Sequence, residues 1–135
     1  MYFHEGSANY SGGTDVIGAT AAANVYAFSE GLVSSTFQEF LTLQNPTGTD
    51  ETVAVTYFIS GLIFQQQMTV KAHSRSTVNV NSVVSPISTS TSVSMTAQAI
   101  LPTNPATALF VAERVLYFGY NTSQGGSDVI GYSTL

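Results

Sequence analysis

The chain of 135 residues contains no cysteine and no tryptophan, and only 8% of its residues are charged. Without cysteine, neither a disulfide framework nor a thiolate metal site can form. The only cations are Lys71, Arg75 and Arg114, whereas nucleic-acid binding needs clustered lysine and arginine to replace counterions. The composition therefore excludes a disulfide scaffold and argues against DNA or RNA as a partner.

The sequence also lacks the patterns of membrane segments and of enzymes. No run approaches the roughly 20 apolar residues of a membrane helix, and no signal peptide opens the chain. There is no GxSxG pattern and no telling pair of carboxylates, so we expect no enzymatic activity and no cofactor. His4 and His73 stand 69 positions apart without an acidic cluster, and a metal site needs converging ligands. We therefore predict no metal site.

What the chain does contain is enough apolar sequence for one core. Hydrophobic residues make up 44% of the chain, and the length suits a single domain. Serine and threonine fill 34 of the 135 positions, so the surface must be wetted by hydroxyl and amide groups rather than by ions. Such a surface is typical of extracellular or assembled proteins, and we predict an extracellular or cell-surface location.

Period-two alternation with frequent turn residues, and no helical periodicity, predicts an all-β domain. The predicted strands cover residues 24–30, 36–44, 51–60, 63–72, 76–84, 91–101 and 107–120. Seven strands are the number expected of an immunoglobulin-like sandwich. We therefore predict a two-sheet, immunoglobulin-like sandwich over residues 21–135, with residues 1–20 as an N-terminal extension strand and linker.

The last predicted strand is apolar on both faces. One face carries Leu109, Val111, Val115 and Tyr117, and the other carries Phe110, Ala112, Leu116 and Phe118. A strand of this kind is usually covered on both sides. In a two-sheet sandwich, either a local loop or a neighbouring molecule must then cover the outer face.

The two ends of the sequence nearly repeat each other. "GGTDVIGAT" at 12–20 returns as "GGSDVIGYST" at 125–134, and "MYF" at 1–3 returns as "LYF" at 116–118. The two aspartates, Asp15 and Asp128, are 113 positions apart, and Tyr2 and Tyr117 are 115 apart, so the turn between the motifs differs by two residues. A fixed period indicates a repeat architecture. We therefore expect one full repeat plus the end of a preceding one, in a chain processed or excised from a longer protein.

Several motifs resemble a known family. They are "YAFSEG…FQEFLTLQNPTGTDETVAVTYFI" (26–59), "KAHSRSTVNVNSVV" (71–84) and "VAERVLYFGY…GGSDVIG" (111–131). This pattern is similar to uncharacterised β-sandwich repeats that occur in tandem in large secreted and cell-surface bacterial proteins. The chain departs from it at Lys71 and His73, where proline and asparagine are more typical, and at Val115, often proline. The resemblance implies a surface-exposed structural or adhesive module, with the "GGSDVIG" segment at the junction between repeats and no catalytic residues to carry over.

Our first functional hypothesis is a structural subunit or repeat of an extracellular fibre or surface assembly whose partners are copies of itself. If residues 1–20 enter a neighbour's sheet, strand addition supplies main-chain hydrogen bonds, and a head-to-tail contact that does not close gives a filament. Alternatively, the segment packs on its own domain and the array is covalent. The expected intersubunit contacts involve Tyr2, Phe3, Val16, Ile17, Phe110, Leu116 and Phe118.

The second hypothesis is a carbohydrate-binding or adhesive sandwich. Seven tyrosines and eight phenylalanines could provide stacking surfaces for sugars, although the absence of tryptophan counts against this function. The hypotheses differ in whether the exposed apolar surface is a sugar-sized cleft or a long edge.

Two sequons and two acidic residues are further candidate sites. Asn9 and Asn121 both match the N-glycosylation pattern and fall in equivalent turns of the repeated unit, although asparagine is also a good turn residue. Asp15 and Asp128 each follow a Gly-Gly pair, but calcium usually needs more than one carboxylate. We expect both aspartates to cap turns.

Charged residues within the apolar strands predict ion pairs, because a charge there is costly unless it is paired. Arg114 would pair with Glu39 or Glu30, and Glu113 with Arg75. These pairs would lie within the chain or, alternatively, between subunits.

Overall fold

The computed structural model describes residues 2–5, 10–13, 15–100, 107–120 and 123–133; for residues 2–5, 10–13, 120 and 123 it describes the backbone only. The first strands are β1 (Tyr2–Glu5), β2 (Tyr10–Gly13), β3 (Val25–Phe28), β4 (Leu32–Val33), β5 (Phe37–Asn45), β6 (Glu51–Ile59) and β7 (Leu62–Val70). They are followed by β8 (Ser74–Asn79), the helix α1 (Val80–Val84), β9 (Thr91–Ser92), β10 (Ser94–Ala99), β11 (Val111–Tyr120) and β12 (Ser123–Ile130).

Two four-stranded antiparallel sheets form the domain. The first has the order β3-β10-β6-β7 and the second the order β12-β11-β5-β8, while β1–β2 and β4–β9 form separate two-stranded ribbons. Alternating apolar residues line the inner faces, as they must when each sheet has one face towards a shared core. The predicted all-β sandwich is confirmed.

The buried residues follow the alternation expected of strands with one inner face. The inner sides of β6 and β10 carry Val53, Val55, Tyr57, Ile59, Met95, Ala97 and Ala99, each at most 3% exposed. Tyr26 of β3 packs on Phe110 with ring centroids 5.2 Å apart and so joins the first sheet to the start of β11. Leu41, Leu43 and Ala112 of the second sheet are fully buried as well, so the core holds the two layers together.

The strand order departs from that of immunoglobulin domains. Taking β3, β5, β6, β7, β8, β10 and β11 as strands A to G, the pairs B–E and C–F are kept. Strand A lies beside F, D beside C and G beside B, whereas the immunoglobulin sheets are ABED and CFG. In addition, β12 extends the second sheet beyond the seven predicted strands.

The predicted strand over residues 76–84 is wrong beyond Asn79. There the side chain of Asn79 accepts a hydrogen bond from the Ser82 amide at 3.1 Å and caps α1. Asn81 then accepts from the Glu39 amide at 2.8 Å and donates to the Phe37 carbonyl at 2.8 Å. Asparagine side chains compete with ladder hydrogen bonds in this way, so the alternation of valines continues into a short helix.

Two turns flank β6. β5 ends at Asn45, whose side-chain amide donates to the carbonyls of Thr49 and Val70 at 2.7 and 3.0 Å. The hairpin between β6 and β7 turns at Ser60 and Gly61, with φ of 47° and 83°. Two successive positive φ angles are those of a type I′ turn, whose twist matches the flanking strands.

Candidate functional site

The two ends of the chain form the same hairpin in the same register. In β1–β2 the pairs are Tyr2 with Gly13 and Phe3 with Gly12; in β11–β12 they are Tyr117 with Gly126 and Phe118 with Gly125. Four residues connect the first pair of strands and two connect the second. Because side chains alternate with a period of two, an even difference in loop length preserves which residues share a face.

In the second hairpin, Gly125 leaves room for the ring of Phe118, the residue opposite it. The ring of Phe118 lies over Gly125, and a Cβ on that glycine would stand 2.7 Å from the ring's Cζ. The same ring stacks on Phe37 of β5, with centroids 5.8 Å apart. A "YF…GG" hairpin therefore lets an aromatic side chain lie flat between its own two strands and the neighbouring strand.

The second "DVIG" copy completes the seam between the two sheets. Residues 128–130 pair with residues 113–115 of β11, and the Gly131 amide donates to the Ala112 carbonyl at 3.1 Å. Tyr132 then exchanges backbone hydrogen bonds with Ala27 of β3, at 2.8 and 2.9 Å. Gly131 has room only for hydrogen, because a Cβ there would lie 2.6 Å from the Phe28 ring.

The first "DVIG" copy, residues 15–18, has the same sequence and a different environment. It belongs to no strand. Ile17 is 88% exposed, whereas its counterpart Ile130 packs against the core. A Cβ on Gly18 would meet no atom within 4 Å. The first copy thus leaves exposed the apolar side chain that the second copy partly buries.

The two hairpins lie next to each other. Cα atoms of β2 come within 8 Å of those of β12 and also of β11. Val115 is on the opposite face of β11 from the core residue Ala112 and is nevertheless only 8% exposed. The strand that the sequence marks as apolar on both sides therefore has a buried residue on each face, Ala112 on one and Val115 on the other, and β2 lies close to it.

A cleft of about 620 Å³ is lined by residues of both sheets and of the segment between β3 and β4. Hydroxyl groups, two phenylalanine rings and one guanidinium are prominent among the residues that line it: Ser29, Ser60, Ser92, Ser94, Ser127, Phe37, Phe58 and Arg114. A second cleft of about 450 Å³ shares Ser29, Glu30 and Arg114 with the first. Arg114 therefore borders both clefts.

Glu39, on the inner face of β5, is fully buried. Neither of its carboxylate oxygens has a hydrogen-bond partner among the described residues. They lie so close to Gly31 that any side chain there would overlap them. Burial raises the pKa of Glu39 to about 7, although the positive charge of Arg114 and the Leu32 backbone act in the other direction.

A second acidic group, Glu113, lies partly buried on the outer face of β11. Burial raises the pKa of Glu113, and the neighbouring negative charge of Asp128 raises it further, while Arg75 opposes this change. One oxygen of Asp128 is buried without a partner among the described residues. Glu113 and Asp128 are therefore close together and partly shielded from water where β11 pairs with β12.

The predicted ion pairs do not form as direct contacts. Among the described side chains, the charged pair within 4.0 Å is Lys71 with Asp50, at 2.7 Å on the surface. Arg114 acts on Glu39, and Arg75 on Glu113, through longer-range attraction. The strands bring these groups near one another, but the alternation of faces keeps Arg114 on the inner side and Glu113 on the outer side of β11.

The residues predicted for intersubunit contacts divide into four groups. Phe110 is fully buried and belongs to the chain's own core. Leu116 and Phe118 are half-buried on the inner face, whereas Val16 and Ile17 lie in the segment after the first hairpin. Tyr2 and Phe3 are placed by their backbone in β1.

The remaining predicted sites are only partly covered. Asn9 and Asn121 lie outside the described residues. Asp15 is exposed after β2, and Asp128 lies within β12 rather than capping a turn. Among the described residues, no three histidine or acidic side chains come together as a metal site would require.

Comparison with known proteins supports the fold alone. No protein-family model matches the chain, and no curated protein matches it. The crystal structure of Thermotoga maritima 1070 is similar with a TM-score of 0.68 and 13% sequence identity, covering 82% of this chain and 93% of that one. An all-β sandwich is therefore the class of protein that the strands, the core and this likeness define.

The raised pKa of Glu39 predicts that the folded protein becomes less stable as the pH rises. Its raised pKa means that the folded state binds more protons than the unfolded state between about pH 4.5 and 7, so stability falls as the pH rises through this window, by roughly 3 kcal/mol. We expect Glu39→Gln to remove this fall and to raise the free energy of unfolding at pH 8. Urea unfolding from pH 5 to 8 measures the effect, with the exposed Glu30→Gln as control; equal profiles for both variants would contradict it.

The two repeated glycines form a matched pair for mutation. Gly131→Ala should lower the free energy of unfolding by about 1–3 kcal/mol, because the new methyl group meets the Phe28 ring. Gly18→Ala, the same change at the equivalent position, should alter it by no more than about 0.5 kcal/mol. Thermal unfolding of the two variants measures this difference, and equal losses would show that the two environments are the same.

Proposed function

We propose that this chain is a structural module of an extracellular fibre or cell-surface assembly and that copies of it join head to tail. One observation carries the proposal: both ends of the chain form the same hairpin in the same register, and the two hairpins lie side by side. A contact between equivalent elements one repeat apart is what a chain of modules needs at every junction.

The contact is suited to open-ended growth. β2 lies beside β12, and the two strands would occupy equivalent positions in successive repeats. Such a contact is heterologous, since it joins two different surfaces of the module, and it extends into a filament when its rotation does not close a ring. The same junction serves a covalent tandem array and a non-covalent fibre.

The linker after the first hairpin allows the exchange that a fibre requires. Residues 17–21 are all exposed, and the chain enters the sandwich only at Ala23, which exchanges backbone hydrogen bonds with Phe110. If the hairpin of one copy docks on β11–β12 of the next, each lost contact is replaced by an identical one. Exchange of an identical element between protomers is a low-cost route to assembly.

The composition and the family likeness agree with this role. Charged residues are scarce and hydroxyl residues abundant, and the sequence resembles tandem repeats of secreted and cell-surface proteins. The described residues contain no helix long and apolar enough to cross a membrane. We place the module at the cell surface, with copies of itself as its partners.

Removal of the hairpin tests assembly. We expect the full chain to form particles larger than a monomer, seen by sedimentation and electron microscopy, and expect the variant lacking residues 1–20 to remain monomeric. The variant should still fold, because the buried core begins at Ala23, and circular dichroism checks this.

Linker length provides an independent control. Inserting Gly-Ser-Gly-Ser after Ala19 gives the hairpin more freedom to dock on its own domain and should shift the distribution towards monomers. If the full chain stays monomeric at high concentration, or if deleting residues 1–20 leaves assembly unchanged, the head-to-tail fibre is contradicted.

The cleft supports a second candidate function, carbohydrate binding. Serine residues, Arg114 and the partly exposed Phe58 line a volume of the size that a short oligosaccharide needs. Aromatic rings and hydroxyl groups are the partners that sugars use in such clefts. No part of the fibre proposal depends on this cleft.

Titration with oligosaccharides distinguishes the candidates. Binding should shift the NMR signals of Phe58, Ser94 and Ser127 in a saturable way, and Phe58→Ala should weaken it roughly tenfold. Ile63→Ala, at an exposed apolar residue outside the cleft, serves as control. The absence of saturable shifts across a glycan panel would remove this function.

A further inference from the structure

We propose that the outer edge of β7 is an interaction surface and that its partner is the same strand of a second copy of this chain. The two strands run antiparallel about a twofold axis and join the first sheets of the two copies into one continuous sheet. The contact uses neither β1–β2 nor β11–β12. It therefore goes beyond the head-to-tail junction and does not depend on it.

The backbone of β7 offers unpaired hydrogen-bonding groups along its whole outer edge. β7 ends the first sheet, next to β6. The two-residue turn between them closes on a hydrogen-bonded pair, Ile59 with Leu62, and the pair types alternate from there. Residues 63, 65, 67 and 69 therefore direct their N–H and C=O groups away from β6. Within the described part of the chain, these groups have no backbone partner.

The other edges of the two four-stranded sheets are covered, short or charged. Backbone hydrogen bonds join Ala27 of β3 to Tyr132, and β2 lies beside β12. β8 has six residues and carries Arg75. β7 has nine residues with no charge, proline or bulge, which are the features that keep natural edge strands from pairing. Its edge is therefore open to the addition of a further strand.

The sequence of β7, LIFQQQMTV, is nearly symmetric in polarity about its centre, Gln66. Antiparallel pairing about that residue places Phe64 opposite Met68 of the second copy and Gln65 opposite Gln67 of the second copy. Apolar side chains then face apolar ones, and amides face amides. Such cross-strand pairs are the unit of sheet stabilisation, so the sequence fits a second copy of itself.

The same register covers the exposed apolar end of β7. Leu62 and Ile63 are 55% and 68% exposed, and they would lie opposite Val70 and Thr69 of the second copy. Removing their apolar surface from water favours the contact in proportion to the area buried. Each chain carries a net charge of −5, but the paired strands bring no like charges face to face, because β7 is uncharged.

This register also uses all the outward-facing backbone groups. Residues 63 and 69 exchange hydrogen bonds across the axis, as do residues 65 and 67, whereas a shift by two residues leaves an end residue without a partner in β7. The contact is isologous and closes into a pair. Because one strand pair buries little area, we expect a dissociation constant on the order of 0.1–1 mM. The pair is then dissociated in dilute solution and forms at high concentration.

The absence of cysteine from the chain allows a cross-linking test of the register. Residue 66 faces its own counterpart in a non-hydrogen-bonded pair, with Cα atoms about 4.5 Å apart, a distance that a disulfide spans. Residue 65 lies roughly 8–9 Å from its counterpart, which is too far. At about 1 mM full-length chain under mild oxidation, Gln66→Cys should form disulfide-linked dimers about tenfold faster than Gln65→Cys.

Gln65→Cys is the matched control because Gln65 is the more exposed of the two residues. Random collision would therefore cross-link it faster, opposite to the expected order. Gln66→Cys also removes the hydrogen bond that Gln66 donates to the Tyr57 hydroxyl at 2.7 Å, so circular dichroism checks that both variants fold. Equal cross-linking of the two variants, or faster cross-linking of Gln65→Cys, would overturn the inference.

Charges at the facing positions provide a second readout that leaves Gln66 unchanged. Gln65→Lys with Gln67→Lys places like charges opposite each other in the pair and should weaken association about tenfold, whereas Gln65→Lys with Gln67→Glu places opposite charges together and should preserve it. Hydrogen exchange measures association, because the amides of residues 63, 65, 67 and 69 become protected as concentration rises. Equal association of the two double variants, or no such protection in the unsubstituted chain, would also overturn the inference.

The result is separable from the test of the fibre. If the full chain forms filaments and Gln66→Cys shows no selective cross-linking, head-to-tail assembly stands and the β7 pair is overturned. If the selective cross-link forms while the full chain makes no filaments, the β7 pair is supported and the head-to-tail fibre is contradicted.

Discussion

The position of β11 between two partner strands is the constraint on which the rest of the structure depends. It pairs with β5 on one side and β12 on the other. Its inner face supplies Phe110 and Ala112 to the core, and its outer face buries Val115. A strand with both edges paired and a buried residue on each face has no freedom of register, since a shift by one residue would reverse every side chain. The hairpin, the seam to β3 and the placement of Glu39 all follow from that register.

This register explains why the repeated ends of the sequence have structural meaning. Aromatic residues opposite glycines define the hairpin, and an even change in turn length preserves it. The second "DVIG" copy then closes the sandwich by crossing from β12 to β3. The first copy has the same sequence in a different environment. One chain therefore contains the same segment both paired in a sheet and outside any strand.

Much of the fold could be predicted, because its determinants are local. The alternation of Val53, Val55 and Tyr57 identifies an inner face, and Asn45 followed by proline ends a strand. The helix α1 escaped prediction because Asn79 and Asn81 redirect an alternating segment through side-chain hydrogen bonds. β12 escaped it because glycine and aspartate are disfavoured in strands; its pairing with β11 and the packing of Phe118 over Gly125 compensate.

The candidate site was less predictable, because it depends on distances between strands that are remote in sequence. Glu39 and Arg114 were expected to touch, yet the carboxylate is buried beside Gly31 and the guanidinium borders the clefts. Strand order likewise depends on non-local pairing, which composition and alternation do not specify. The repeated ends are visible in the sequence, but their shared register can be recognised only from the pairing of β1 with β2.

The central claim is that the hairpin of one copy lies against β11–β12 of the next. Solid-state NMR of assemblies grown from a mixture of ¹⁵N-labelled and ¹³C-labelled chains tests it most directly, because ¹⁵N–¹³C transfer then arises only between molecules. The account predicts intermolecular transfer between β2 and β12. Assemblies that show these contacts only within uniformly labelled chains, and none between differently labelled ones, would contradict it.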